Sequence, residues 1–143
     1  MILNVNVGDI RSRLAELKKR ADASKSSDLK GLVVRRALGE LVVEAYESGQ
    51  ACLDEKNYRA ALVYFDLASA GSANPAWAHY QRARAYAMLS DRKNMLAELR
   101  LSAARGFHDT SALDAAEFQA FQQQPEFQTL VREWRQAGDR VRP

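Results

Sequence analysis

Apolar residues along the first two-thirds of the chain recur at helical, not strand, spacing. Ile10, Leu14, Leu17 and Ala21 mark one face of a first helix that Asp9 can cap. The polar run Asp22–Asp28 reads as a loop, and Asp28 can cap a second helix. From Leu29 to about Glu55 there is no Pro, and apolar residues fall on two sides. Val34, Leu38, Leu41, Ala45 and Cys52 form one stripe; Leu32, Val43, Tyr46 and Leu53 contribute to the other. A helix apolar on two sides is expected to be sandwiched between neighbours. Gly39 is the point where it is expected to bend or break, because Gly weakens a helix interior. The start, Met1–Val7, alternates too briefly to decide between a strand and an extended lead-in.

Comparing the chain with itself gives a sharper signal. At an offset of 34 residues, Tyr46 falls on Tyr80, Ala51 on Ala85, Leu62 on Leu96, Leu67 on Leu101 and Ala70 on Ala104. Similar residues fill the gaps: Gly49 and Ala83, Cys52 and Tyr86, Asn57 and Asp91, Phe65 and Leu99. Small residues stand where two helices would cross closely, and large ones (Tyr58, Phe65, Tyr86, Leu99) where they would fill the space between successive helix pairs. That period and residue pattern resemble the tetratricopeptide repeat, a helix–turn–helix unit. The first repeat carries Gly49, Tyr58, Ala61, Leu62, Phe65 and Ala68, with Pro75 in the linker. The second keeps Ala83, Tyr86, Leu89, Asp91, Leu96 and Leu99, while Met95 and Ser102 replace the usual alanines. The aromatic residue that opens each first helix in the family is displaced: Ala45 and His79 hold those positions, with Trp77 two residues early.

Beyond the second repeat, Gly106-Phe107, Leu113-Asp114, Phe118, Phe121, Pro125, Phe127 and Leu130 resemble the closing unit of many bacterial tetratricopeptide arrays. Gly106 suits a helix stop, and Pro125 the first turn of a final helix through about Ala137. The resemblance implies an all-α fold of about seven helices, in antiparallel pairs stacked as a short right-handed solenoid. It divides the chain into an N-terminal helical cap (1–40), two repeats (41–107), a closing helical pair (108–138) and a tail (139–143). Caps are expected because no repeat buries its apolar face alone.

Composition adds exclusions. The chain has 143 residues, and the 47% hydrophobic and 27% charged shares are those of a globular protein, not a disordered one. The net charge of +3 is uneven: residues 1–45 hold nine Lys/Arg against six Asp/Glu, residues 46–131 eight against ten, and residues 132–143 four against two. Arg11, Arg13, Lys18, Lys19 and Arg20 sit on the first helix as a solvated face, so nucleic-acid binding through the basic ends is the weakest of the functional readings. No apolar run approaches the ~20 residues a membrane span needs. The start lacks signal-peptide features, so the cytoplasm is the expected compartment, and the abrupt opening fits a module of a longer chain.

Catalytic chemistry finds no constellation, so the chain is expected not to be an enzyme and to need no cofactor or metal. One Cys excludes an internal disulfide framework and any Cys-based metal cluster. Cys52 stands where the second repeat has Tyr86, which marks it as a packing residue. His79 is expected at a surface or groove position and His108 in a turn. Asp109, Asp114 and Glu117 read as helix caps and solvated acids. No Gly-rich phosphate loop, His-Glu-x-x-His pair or nucleophile elbow is present.

Binding is what the resemblance implies. In the family, first helices line a concave face that holds peptides. By register the groove residues are Val43, Tyr46, Gln50, Leu53, Trp77, Tyr80, Arg84 and Met88. Trp77, Tyr80 and Arg84 are expected to share one exposed surface, with Arg84 receiving a carboxylate. Tyr46 can equally pack under the N-terminal helix. The clamp for acidic chaperone tails is not reproduced, since Tyr46 and Gln50 replace its Lys and Asn. The expected function is therefore a scaffold that binds an unknown protein or peptide, or a neighbouring domain of the parent chain. The alternative is homo-oligomerisation through the N-terminal helices or the aromatic groove.

Overall fold

The structure is a computed structural model that describes residues 7–24 and 28–141. The lead-in before Val7, residues 25–27 of the expected loop, the end of the tail, and the side chains of Asp9 and Ile10 lie outside the described residues. Among the described residues every regular element is helical. The described residues form six α-helices and two short 3₁₀ helices, grouped in two compact units, Met1–Ala73 and Asn74–Pro143.

The first unit holds α1 (Val7–Ala23), α2 (Leu29–Asp54) and α3 (Tyr58–Gly71), each packed on the other two. Asp9 lies inside α1 and not at its cap. Asp28 caps α2 as expected, its carboxylate accepting the Lys30 N–H at 3.1 Å. Helix α2 runs unbroken through Gly39. An unhindered Gly inside 26 helical residues costs about 1 kcal/mol relative to Ala, too little to stop the helix. The core gathers Leu14, Ala45, Leu67 and Ala68, with Leu38, Leu41, Tyr46 and Tyr64 against it. Arg11 pairs with Asp66, and the Lys18 Nζ donates to the Ala70 carbonyl at 3.2 Å, at the end of α3 where carbonyls lack helical partners. The second apolar stripe of α2 is not sandwiched as expected. Leu53 is buried and Tyr46 half-buried, but Leu32 and Val43 face outward.

The second unit holds α4 (Ala76–Met88), α5 (Arg92–Ala104), the 3₁₀ helices η1 (Thr110–Asp114) and η2 (Ala116–Phe121), and α6 (Pro125–Val141). Its core is larger: Tyr80, Met95, Leu99, Leu113, Phe118, Phe121, Phe127, Leu130 and Trp134 all pack into it. Ser102 is fully buried, yet its hydroxyl donates to the Ala76 carbonyl at 2.8 Å, so α5 is pinned to the start of α4. The closing pair begins in 3₁₀ turns, and α6 continues to Val141, past the Ala137 at which it was expected to end and into the supposed tail.

The 34-residue period is visible in the backbone. At the end of α2, Lys56 takes a left-handed φ of 61°, while the Asn57 N–H bonds the Cys52 carbonyl (2.8 Å) and the Lys56 N–H the Leu53 carbonyl (3.0 Å). Thirty-four residues on, Ser90 has φ 58°, the Asp91 N–H bonds the Tyr86 carbonyl (2.9 Å) and the Ser90 N–H the Ala87 carbonyl (3.0 Å). Both are Schellman turns. In each, the last residue then opens the next helix. The Asn57 side chain accepts the Ala60 N–H, and Asp91 accepts that of Asn94. Gly106, with φ 98°, closes α5 by the same pair of bonds, from Phe107 to Ser102 and from Gly106 to Ala103.

Hydrogen bonds from the Asn94 side chain and backbone hold the Asp91 carboxyl below its ordinary range. A lowered folded-state value means that the cap's contribution is present above the unfolded carboxylate range and is lost as the solution is acidified through it. We expect Asp91→Ala to cost about 1 kcal/mol at neutral pH. Asp91→Asn should cost less, since Asn57 serves as the same cap one repeat earlier, and should flatten the acid side of the stability profile. Urea unfolding at neutral pH and in acid checks both. Equal acid sensitivity in Asp91→Asn and the unaltered chain would contradict the assignment.

Candidate functional site

Of the residues expected to form a groove, Val43, Tyr46, Gln50 and Leu53 lie on α2 in the first unit; Trp77, Tyr80, Arg84 and Met88 lie on α4 in the second. On α2, Val43 is exposed. Tyr46 is half-buried, its ring 6.3 Å from that of Phe65, so it serves the packing of α2 on α3. Gln50 donates to Asp54 on its own helix at 3.0 Å, and Leu53 is buried.

On α4 the expected open surface is largely closed. Tyr80 is only 5% exposed. Its ring packs against Phe107 and Phe118, and its hydroxyl donates to the Ala112 carbonyl at 2.8 Å. Burial pushes the phenol pKa up, with Arg84 acting against the shift. The Arg84 guanidinium is engaged twice: Nε and Nη2 donate to one Glu117 oxygen, and Nη1 donates to Gln81 Oε1 at 2.7 Å. Glu117, which reads as a solvated acid in the sequence, is therefore the carboxylate that Arg84 receives. The physical reason is that η2 folds back over α4 and seats Phe118 in the core, while η1 brings the Ala112 carbonyl to Tyr80. Trp77, Tyr80 and Arg84 consequently do not share an exposed surface.

Trp77 remains open, with 45% of its surface exposed, as does Met88. One ring face of Trp77 stacks on Tyr80 at 5.2 Å and 30°, and Phe107 meets it edge-on at 5.2 Å. Asn74, Ala76, Trp77, Arg105, Gly106 and Phe107 line a shallow depression. The Asn74 amide donates to the Arg105 carbonyl at 3.2 Å and its oxygen accepts the Ala76 N–H at 3.1 Å, which fixes one wall. Sequence reasoning found Trp77 but missed Asn74, Arg105 and Phe107. The available signal was the Gly106 stop, which turns the chain back toward the start of α4.

The remaining chemical groups have structural surroundings. His79 is not at the surface: its Nδ1 lies 2.7 Å from Glu98 Oε2, and Arg82 lies 3.2 Å from the other Glu98 oxygen. Both partners of Glu98 are mostly buried. Burial, and then Glu55, push the half-buried Cys52 thiol up, away from the thiolate a nucleophile needs. No cluster of three or more His, Cys, Asp or Glu able to hold a metal occurs among the described residues. Among the same residues no helix is long and apolar enough to cross a membrane. No family model, curated protein or solved structure matches the chain.

Proposed function

We propose that the chain is a protein-binding module of tetratricopeptide type, working in the cytoplasm of a bacterium, that takes a segment of another protein or of a neighbouring domain against Trp77. The observation that carries this reading is the open Trp77 ring, held on two sides by Tyr80 and Phe107 while its outer surface stays in water. Exposed aromatic rings on rigid supports are the usual anchors of interfaces, because they bury much area with little entropy to lose. Two helical turns closed in the same way 34 residues apart support the repeat reading behind it. The chemistry favours an apolar or aromatic side chain on Trp77. Arg84 is spent on Glu117, so an acidic contact belongs to exposed Arg105.

Selection of a random peptide library on the full chain tests this. Enriched peptides should carry an apolar residue beside an acidic one. Trp77→Ala should weaken them by about 2 kcal/mol, roughly thirtyfold in Kd, while Arg105→Glu should remove the acidic preference. Peptides that bind Trp77→Ala as well as the unaltered chain would overturn the assignment.

A further inference from the structure

The outward face of α2 has a self-complementary pattern. Leu29, Leu32, Val33 and Val43 are 74, 51, 62 and 55% exposed, although all four are apolar. On one helix Leu32, Val33 and Val43 follow Leu29 by three, four and fourteen residues, so they share a face. Between the two apolar ends lies an ion pair, Arg36 Nε to Glu40 Oε1 at 3.1 Å, with both side chains mostly in solvent. Gly39 sits beside it, and a methyl group built there meets nothing within 4 Å. The middle of this face is therefore charged and open at Gly39, with Leu29, Leu32 and Val33 on one side of it and Val43 on the other.

We propose that two copies of the chain pair through this face, with their α2 helices antiparallel and a two-fold axis at the level of Leu38. That axis sets Val33 against Val43 of the second copy and Arg36 against Glu40 of the second copy, each contact occurring twice. Gly39 lies at the crossing and lets the backbones approach. Lys30 falls within a turn of Glu47 of the second copy. The charges choose the direction: a parallel pair would set Arg36 on Arg36 and Glu40 on Glu40, whereas the antiparallel pair converts the exposed ion pair into two crossed ones. The same symmetry of charge favours a second copy over an unrelated partner, which would have no reason to match it. One helix face is small for a stable interface, so the dimer is weak, with a Kd on the order of micromolar.

Sedimentation equilibrium of the full chain from about 1 to about 500 µM brackets that affinity. The unaltered chain should pass from monomer to dimer. Arg36→Glu alone and Glu40→Arg alone should each weaken self-association by about tenfold or more, and an equimolar mixture of the two should restore it. Both substitutions are at exposed positions, and circular dichroism verifies that the helices persist. In a Cys52→Ser background, mixed Val33→Cys and Val43→Cys chains should cross-link to each other faster than either does to itself. A chain monomeric throughout, a dimer indifferent to the charge reversals, or faster cross-linking of Val33→Cys to itself would each overturn the proposal.

Discussion

Trp134→Ala is expected to lower the stability of the second unit by about 3–5 kcal/mol. The side chain is 1% exposed and sits in the largest core, where Phe107 meets its ring edge-on at 5.9 Å. Leu130 and Phe127, one and two turns earlier on α6, are equally buried, so the helix is held by a single continuous stripe. Removing the indole leaves a cavity that the 3₁₀ turns cannot fill without moving Phe118. Trp134→Phe should cost much less. The indole Nε1–H is buried without an acceptor, so the phenyl ring gives up packing volume but also removes a donor that has lost its water. Chemical unfolding of the three proteins decides the matter. A cost below about 1 kcal/mol for Trp134→Ala would mean that α6 does not close this core. Because Phe107 touches both Trp134 and Trp77, the Ala variant should also change the environment of Trp77, read as its fluorescence.

The second large effect concerns two glycines of α2 and has opposite signs at them. By helix propensity alone, Gly→Ala stabilises a helix interior by about 1 kcal/mol. At Gly39, where an added methyl group meets open space, that gain should appear in full, measured at concentrations where the chain is monomeric. At Gly49 the added carbon would lie 2.6, 2.8 and 2.9 Å from three ring carbons of Phe65. Phe65 is fully buried and cannot step aside, so Gly49→Ala should instead destabilise by about 1–3 kcal/mol. Adding Phe65→Leu to Gly49→Ala should recover part of the loss, a coupling expected of residues in contact. Two stabilising substitutions, or two destabilising ones, would contradict the packing described.

The features that were legible in the sequence are those encoded locally. Asn57 and Asp91 were legible as an aligned pair at the 34-residue offset, and the structure gives the reason: each caps a helix directly after an equivalent tight turn. Gly49 was legible as a small residue at a close crossing, whereas Phe65, expected between successive helix pairs, meets it within the pair α2–α3. Gly106 and Pro125 marked a stop and a start. The features that were not legible depend on which surfaces a distant segment covers. Nothing in the spacing of Arg84 says that Glu117 will return to it 33 residues later. Tyr80 carries the composition of an interface anchor, yet its hydroxyl is consumed by the Ala112 carbonyl, a backbone group with no signature. The outward stripe of α2 failed as a burial prediction because apolar residues at helical spacing tell where a face is, not whether anything lies on it.

The turns at Lys56 and Ser90 have a consequence for how this chain can change. In each, a single residue, Asn57 or Asp91, donates the bond that ends one helix and accepts the bond that begins the next. There is no slack between them. One residue inserted there would have to break either the terminator or the initiator, and would rotate the following helix by about 100° against its neighbour. Length variation in a lineage of such chains is thereby steered away from these two hairpins and toward His108, the one residue that separates the Phe107 bond ending α5 from the Asp109 cap opening η1.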